Sequence, residues 1–423
     1  MVDLNSMGKR AREASRILAG LNRDVKDRVI ESLADLLIEQ QEAILSANGD
    51  DIKVAEGEGL SAAMIDRLRL TPNRLSAMGD DLRRVCDLPD PVGSVFDRQT
   101  MPNGLQVHKQ RVPLGVLAVI YESRPNVTID VSALALKSGN SVILRGGKET
   151  LNTNRALIAI IHQALVDNNL PEAAVQFIDS TDRSLVMALL QMYEFVDMLI
   201  PRGGAGLHRF CREHSRIPVI TGGIGVCHLF VDRSADQAAA LRVIHNAKTQ
   251  RPTVCNALDT VLVHEAIAAE FLPPLIDHLA NDRVRFSVDP GALSYVDGDS
   301  LEREVVMPAN PDDFSREWLS LVLGVKVVPD LDAALAHIEA HSTGHSDGIL
   351  TRDETQADVF IRSVDSAAVY VNASTRFTDG GQLGLGAEVA ISTQRLHARG
   401  PMALEALTTY KWVIRGENHI RPD

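Results

Sequence analysis

The turn Arg251-Pro252-Thr253-Val254-Cys255-Asn256-Ala257-Leu258-Asp259 carries a thiol between two apolar stretches. Before it, Ala235 to Ile244 has the composition of a helix. After it, Asp259 to His264 is a β-branched run with the pattern of a buried strand. The thiol therefore falls on a loop that feeds a strand, near the cation Arg251. A thiol reacts as its thiolate, and a nearby cation or unpaired backbone N–H groups lower its pKa. Two readings of Cys255 follow from this window, a nucleophile or a small buried hydrophobe.

Other residues could do chemistry as well. Two apolar runs end in glycine turns, Ile143-Leu144-Arg145-Gly146-Gly147-Lys148 and Leu199-Ile200-Pro201-Arg202-Gly203-Gly204. Glycine lets a backbone approach a phosphate, and the helix that follows offers free N–H groups. Neither turn has the G-x-G-x-x-G spacing of the dinucleotide fingerprint, so each reads equally as a plain turn. His337, His341 and His345 would share one face of an unbroken helix and could hold zinc. Gly344 is placed to end that helix before His345, and no H-E-x-x-H pattern is present, so a bound metal is not expected. Gly380 to Glu388 is a glycine-rich stretch, either a connection or a phosphate cradle.

The elements that must position these groups are alternating strands and helices. Residues from about Ser6 to Leu88 read as helical, with Val25, Val29, Ile30, Leu33, Leu36, Leu37 and Ile44 at helical spacing. Arg98 to Val112 reads as a hairpin around Asn103-Gly104, polar on both faces and in need of another subunit or domain. From Pro113, strands at Gly115–Ile120, Ser141–Leu144, Ala174–Ile178 and Asp197–Ile200 alternate with helices. A second such block begins near Gly225. This pattern predicts an α/β fold of two doubly wound sheets, with ligands at the carboxyl ends of the strands. The stretch Asp282 to Pro311 has no clear pattern.

With 423 residues, the chain is long enough for two or three domains. Its net charge of -13 argues against nucleic acid or an anionic membrane surface as partner. No apolar run approaches a membrane span, and the amino terminus lacks a signal-peptide pattern. Cys86, Cys211, Cys227 and Cys255 form no C-x-x-C pair, which fits reduced thiols in the cytoplasm.

Several segments resemble the aldehyde dehydrogenase superfamily, among them Pro113-Leu114-Gly115-Val116 and Lys137-Ser138-Gly139-Asn140. Within it the chain is most similar to the γ-glutamyl phosphate reductase family. The matching stretches are Tyr121 to Asn126, Gln250 to Asn256, Val328 to Ile349 and Asn372-Ala373-Ser374-Thr375-Arg376-Phe377-Thr378-Asp379-Gly380-Gly381. The resemblance covers nearly the whole chain and implies an aldehyde dehydrogenase-like fold. Its implied domains are residues 1–97 with 113–224 for NADP, 225–397 for catalysis, and 98–112 with 398–423 as an oligomerisation ribbon and tail.

The resemblance also implies roles. Cys255 would attack L-glutamate 5-phosphate and expel phosphate, and the thioester would accept hydride from NADPH to give glutamate 5-semialdehyde. Asn126 would hold the oxyanion together with the Cys255 N–H. Gly203 and Gly204 would meet the pyrophosphate, Glu317 the nicotinamide ribose, and Arg145 the adenosine ribose. Lys148 stands where NAD-using relatives carry a glutamate, and would attract a 2′-phosphate. Arg124 and Arg251 are the candidates for holding the anionic substrate. The implied partners are further copies of the chain and glutamate 5-kinase. Oxidising relatives carry a water-activating acid just before a Gly-Gly pair; here Ile220-Thr221-Gly222-Gly223 has none, which favours reduction. Competing readings are an ordinary aldehyde dehydrogenase, a metal-dependent hydrolase on the three histidines, and a catalytically silent nucleotide-binding protein.

Overall fold

The computed structural model describes residues 2–296 and 305–421. Part of the patternless stretch 282–311, residues 297–304, and the last two residues of the predicted tail lie outside the described residues. The chain divides into two compact units: Met1–Thr221 with Gly384–Ala390 and Met402–Asp423, and Gly222–Leu383 with Ile391–Pro401.

The first unit opens with five helices, α1 (Leu4–Leu18), α2 (Arg23–Glu39), α3 (Gln41–Gly57), α4 (Ala62–Leu68) and α5 (Pro72–Asp87). Their starts are locally encoded. Asp3, Asn22, Ser61 and Thr71 each accept a backbone N–H of the first turn through the side chain. Along α2, Val29, Ile30, Leu33 and Leu37 are buried, as their helical spacing requires.

A parallel sheet follows, built from β3 (Val116–Tyr121), β4 (Ser141–Arg145), β5 (Val175–Phe177) and β6 (Met198–Arg202), and preceded in the chain by the hairpin strands β1 (Val95–Thr100) and β2 (Gln106–Pro113). Its order is β5-β4-β3-β6. Every residue of β3 and β4 is buried, which is why these strands read as continuous apolar runs rather than alternating ones. The order reverses at β3 and β6, the kind of switch where such sheets take ligands. Helices α6 (Asn126–Lys137), α7 (Leu151–Asp167), α8 (Ser184–Leu190) and α9 (Ala205–His214) connect the strands. Helix α6 ends at Gly139, whose φ of 74° is left-handed and whose Cβ would stand 2.8 Å from Pro113.

The second unit holds a 7-stranded parallel sheet. In chain order its elements are β7 (Cys227–Val231), α10 (Gln237–Thr249), β8 (Leu258–His264), α11 (Glu265–Ala280), β9 (Arg285–Val288), β10 (Val306–Pro308), β11 (Val322–Val328), α12 (Leu331–His341), β12 (Ser346–Leu350), α13 (Glu354–Ser363) and β13 (Ala368–Val371). The strand order is β10-β9-β11-β8-β7-β12-β13. Phe271, Leu272, Leu275 and Leu279 of α11 pack with Val261 and Val263 of β8 in its main apolar cluster.

Two short strands follow, β14 (Ala390–Ser392) and β15 (Gly400–Met402). The final strand β16 (Thr408–Arg415) then joins the first unit. It pairs antiparallel with β2 along its whole length, giving a ribbon ordered β1-β2-β16. The ribbon begins at Val95 rather than Arg98, because the pairing with β2 starts at Val95 and carries a bulge between Phe96 and Gln99. Gly384–Ala390, expected in the catalytic block, groups with the first unit. Gly386 lies against Leu88, and the Val389 N–H donates to the Met402 carbonyl at 2.8 Å.

Candidate active site

In the first unit, six of the singled-out residues stand at or just beyond the carboxyl ends of three adjacent strands. Ile120 of β3 is in register with Arg145, and Tyr121 with Arg202. The chain leaves β3 through Glu122 and Ser123. Ser123 holds a φ of 46°, a region L-residues occupy at some cost and one that clusters at functional loops. Arg124 and Pro125 follow, and Asn126 is the first residue of α6. The Asn126 amide donates to the Asp130 carboxylate one helical turn on, at 2.8 Å. Burial pushes the Asp130 carboxyl up to about 7, against the pull of the Asn126 bond.

The turn after β6 is held by Glu122. Its Oε2 accepts the Gly204 N–H at 3.1 Å, and a Cβ on Gly203 would stand 2.3 Å from the same oxygen. A larger residue at Gly203 would displace the Glu122 side chain. A Cβ on Gly204 or Gly206 would meet nothing within 4 Å, so the start of α9 is open, with no side-chain cap. Arg145 is buried, its Nη1 donates to the Gly146 carbonyl, and its Nε has no partner. Burial lowers its pKa. Lys148 is exposed and its ammonium sits on the Glu58 carboxylate at 2.7 and 3.0 Å.

These residues fit a nicotinamide dinucleotide. A guanidinium with an orphaned buried Nε, an exposed lysine and an open helix start stand at the sheet's switch point. Glu122 already takes the Gly204 N–H, so the N–H groups after it are the ones left for a pyrophosphate.

In the second unit, Cys255 is half-buried, and none of the four cysteines is in a disulfide. It precedes β8, at the amino end of that strand, not the carboxyl end that the sheet rule predicts for ligands. A tight connection fixes it there. Its carbonyl oxygen would stand 1.5 Å from a Cβ on Gly225, and the same oxygen faces the Cys227 thiol at 3.3 Å. Asn256 is clamped from the loop after β13. Its Nδ2 donates to the carbonyls of Thr378 at 2.9 Å and Arg376 at 3.3 Å, and its own carbonyl accepts Thr375 Oγ1 at 2.7 Å. These bonds hold the backbone on the carboxyl side of the thiol.

Glu317 meets the same corner, accepting the Gly225 N–H at 3.0 Å. Burial lifts its carboxyl to about 7, and Asp259 adds to the rise. Asp259 itself is lifted to about 6 by burial while accepting the N–H groups of Trp318 at 3.0 Å and Cys227 at 3.3 Å. Arg251 is exposed. Arg376, inside a quoted motif but given no role by the sequence reading, is half-buried, and its Nε donates to Gln250 at 2.8 Å.

Thus Cys255 and Glu317 converge on Gly225, and Arg145 lies at the same sheet edge as the Gly203–Gly204 turn. Sequence reasoning missed Glu122, Asp130, Asp259 and Arg376. Asp130 had a readable signal, its four-residue spacing from Asn126 at the start of a helix; Glu122, Asp259 and Arg376 lay inside quoted stretches, and only the fold gave them a role.

The histidines separate. His337 and His341 lie on α12, which ends at His341, while His345 falls beyond it, just before β12. His337 packs on His341 and His228 with ring centres 4.3 and 5.4 Å apart, and burial drives it down to about 2. Among the described residues no group of three or more His, Cys, Asp or Glu is placed to hold a metal. Among the same residues no helix is long and apolar enough to cross a membrane.

Known proteins bear on these corners. Residues 2–293 match the model of the aldehyde dehydrogenase family. The chain is 58% identical over 418 residues to a γ-glutamyl phosphate reductase of Proteus mirabilis, covering 99% of this chain and 100% of the relative. It is similar to the crystal structure of γ-glutamyl phosphate reductase from Thermotoga maritima, with 45% identity, a TM-score of 0.96 and 100% of both chains covered. An acetylating aldehyde dehydrogenase from Geobacillus thermoglucosidasius shares the fold at 17% identity and a TM-score of 0.71, over 99% of this chain and 98% of that one.

Proposed function

This chain belongs to the aldehyde dehydrogenase family and, within it, to the γ-glutamyl phosphate reductases; from that premise we propose that it reduces L-glutamate 5-phosphate to L-glutamate 5-semialdehyde and phosphate through a thioester on Cys255. It is an oxidoreductase of proline biosynthesis. The observation that carries the reading is the Cys255 loop: a half-buried thiol pinned by Gly225 and Asn256, with Arg251 and Arg376 in the adjoining loops.

The thiolate attacks the acyl carbon, the C–S bond forms, and the C–O bond to phosphate breaks. When bound, NADPH supplies the hydride that reduces the thioester. The C–S bond of the hemithioacetal then breaks, and the thiolate leaves as the aldehyde forms. Asn126 Nδ2 and the Cys255 N–H stabilise the oxyanion, and Asp130 orients the Asn126 amide. Glu317 takes the nicotinamide ribose, Arg145 the adenosine ribose and Lys148 the 2′-phosphate, which makes NADPH the preferred cofactor. The start of α9, just after the Gly203–Gly204 turn, takes the pyrophosphate through the N–H groups that follow Gly204. Arg124 and Arg251 take the anionic ends of the substrate. Thr221 stands where an oxidising relative has its water-activating acid, so the thioester survives until hydride arrives.

The same reading makes the ribbon an oligomerisation element. Tyr410, Trp412 and Ile414 alternate along its edge strand β16 and are 45%, 58% and 62% exposed. A homo-oligomer in the cytoplasm, associating with glutamate 5-kinase, completes the proposal. The test is the reverse reaction, because the acyl phosphate is labile. Glutamate 5-semialdehyde should reduce NADP only when phosphate is present. Cys255→Ala should abolish that turnover and leave NADPH binding intact; appreciable activity in the variant sinks the thioester.

A further inference from the structure

L-Glutamate 5-phosphate has two anionic ends, and the residues around the thiol differ in which end they can reach. The phosphoryl group hangs on the very carbon that the sulfur attacks. The α-carboxylate lies at the far end of the chain. A cation in the loops that hold Cys255 is therefore placed for the phosphate.

Arg376 has that position. Its main-chain carbonyl accepts the side chain of Asn256, the residue after the nucleophile, and the preceding Thr375 hydroxyl donates to the Asn256 carbonyl. Its Nε–H is taken by Gln250, the residue before Arg251. The guanidinium is thus anchored through one edge, and among the described residues no hydrogen bond engages its two terminal NH2 groups. That fork matches two oxygens of a phosphate.

The electrostatics agree. Arg376 makes no ion pair among the described residues, although it is half-buried. Burial lowers its pKa, the like charge of Arg251 lowers it further, and Asp379 and the Cys255 and Cys227 thiols pull the other way. Among the described residues no carboxylate forms an ion pair with either guanidinium, so the two repel each other, only partly offset by Asp379, and a dianion between them removes the cost.

Resting on the reductase reading above, we propose that Arg376, with Arg251 beside it, forms the phosphate subsite of this reaction. In reduction it holds the phosphoryl group during attack and the phosphate dianion as the C–O bond breaks. In the reverse direction it holds inorganic phosphate while one phosphate oxygen attacks the thioester carbonyl and the thiolate leaves. Every atom and electron pair is accounted for by substrate, phosphate and Cys255.

The experiment uses the full chain in the reverse direction, with glutamate 5-semialdehyde, NADP and inorganic phosphate. Arg376→Gln should raise the KM for phosphate about tenfold or more, with the semialdehyde KM changed by less than about twofold. Arg376→Lys, which keeps the charge but loses the fork, should fall between. It also serves as the folded probe should Arg376→Gln lose its thermal transition. Without turnover, phosphate should slow alkylation of Cys255 in the wild type and do so less in both variants. A rise in the semialdehyde KM alone would give Arg376 to the α-carboxylate and overturn the proposal. A shift in the pH dependence of alkylation with both KM values kept would make Arg376 a tuner of the thiol and overturn it equally, as would no change. If the wild type itself shows no phosphate-dependent turnover, it is the reductase reading that fails; if it does and Arg376→Gln leaves the phosphate KM unaltered, only this subsite fails.

Discussion

At the turn after β6, a Cβ added to Gly204 or Gly206 would find nothing within 4 Å. At the Cys255 loop, a Cβ added to Gly225 would sit 1.5 Å from a carbonyl oxygen. The first corner keeps an uncapped helix start, an exposed Lys148 and a buried Arg145 with an unused nitrogen. The second is stitched by the hydrogen bonds of Asn256, Glu317 and Asp259. Both corners are framed by glycine, for opposite reasons: one leaves room, the other removes it. A cofactor must enter and leave in every cycle, so its site needs open backbone donors. A nucleophile must meet its target within a fraction of an ångström, so its loop needs fixed backbone.

The contrast is broken most directly at the glycines. Gly225→Ala forces the backbone of the thiol loop away and should cost about 3 kcal/mol or more of stability, read as a lower urea midpoint, with turnover lost. Gly204→Ala has backbone angles that alanine accepts, φ -73° and ψ 172°, and should cost about 1 kcal/mol or less, as alanine is a poorer helix cap than glycine. Equal losses for the two variants would remove the distinction.

Glu317 sharpens it next. Its carboxyl is raised to about 7. Below that pH it is protonated and a poorer acceptor for ribose hydroxyls; above it, ionised and a better one. NADPH binding, followed by fluorescence titration, should tighten several-fold as pH rises from about 6 to about 8. Glu317→Gln should flatten that profile. The sign for folding is opposite. An acid raised in the folded state contributes stability at low pH that is lost as pH rises from the ordinary value of 4.5 through about 7. The glutamine variant should lose that slope too. A profile that persists in the variant would place the titrating group elsewhere.

The smallest effect belongs to Lys148, because it is exposed and already paired with Glu58. Lys148→Glu should weaken NADPH by about threefold to tenfold and NADH by less. Glu58→Gln should do the reverse and favour NADPH slightly, since it frees the ammonium. Equal losses of both cofactors on Lys148→Glu would show that this lysine does not read the 2′-phosphate.

Much of this was readable before the fold was known. The run at Val116–Tyr121 is buried on both faces and is apolar without a break, whereas Leu258–His264 is buried almost throughout although Asp259 and Thr260 interrupt its apolar sequence. The N-terminal helices announce themselves through spacing and through Asp3, Asn22, Ser61 and Thr71 at their starts. The motif around Cys255 placed the thiol on a loop before a strand. The strand ends were less legible: the ribbon begins earlier than its turn suggests, since pairing with β2, not local composition, decides where it starts.

Residue types and short-range spacing determined which elements form, where helices begin, and that a thiol, an amide and several cations stand at element ends. Those are consequences of backbone geometry acting over a few residues. The tertiary structure alone decided which of those groups meet. Arg376 reaches Gln250 across 126 residues and Lys148 reaches Glu58 across 90, and both pairings depend on distant segments being brought side by side. The same holds for the lifted carboxyls of Asp130, Asp259 and Glu317. A pKa is set by what excludes water and what charge stands within a few ångström, and neither is written in the neighbouring letters of the chain.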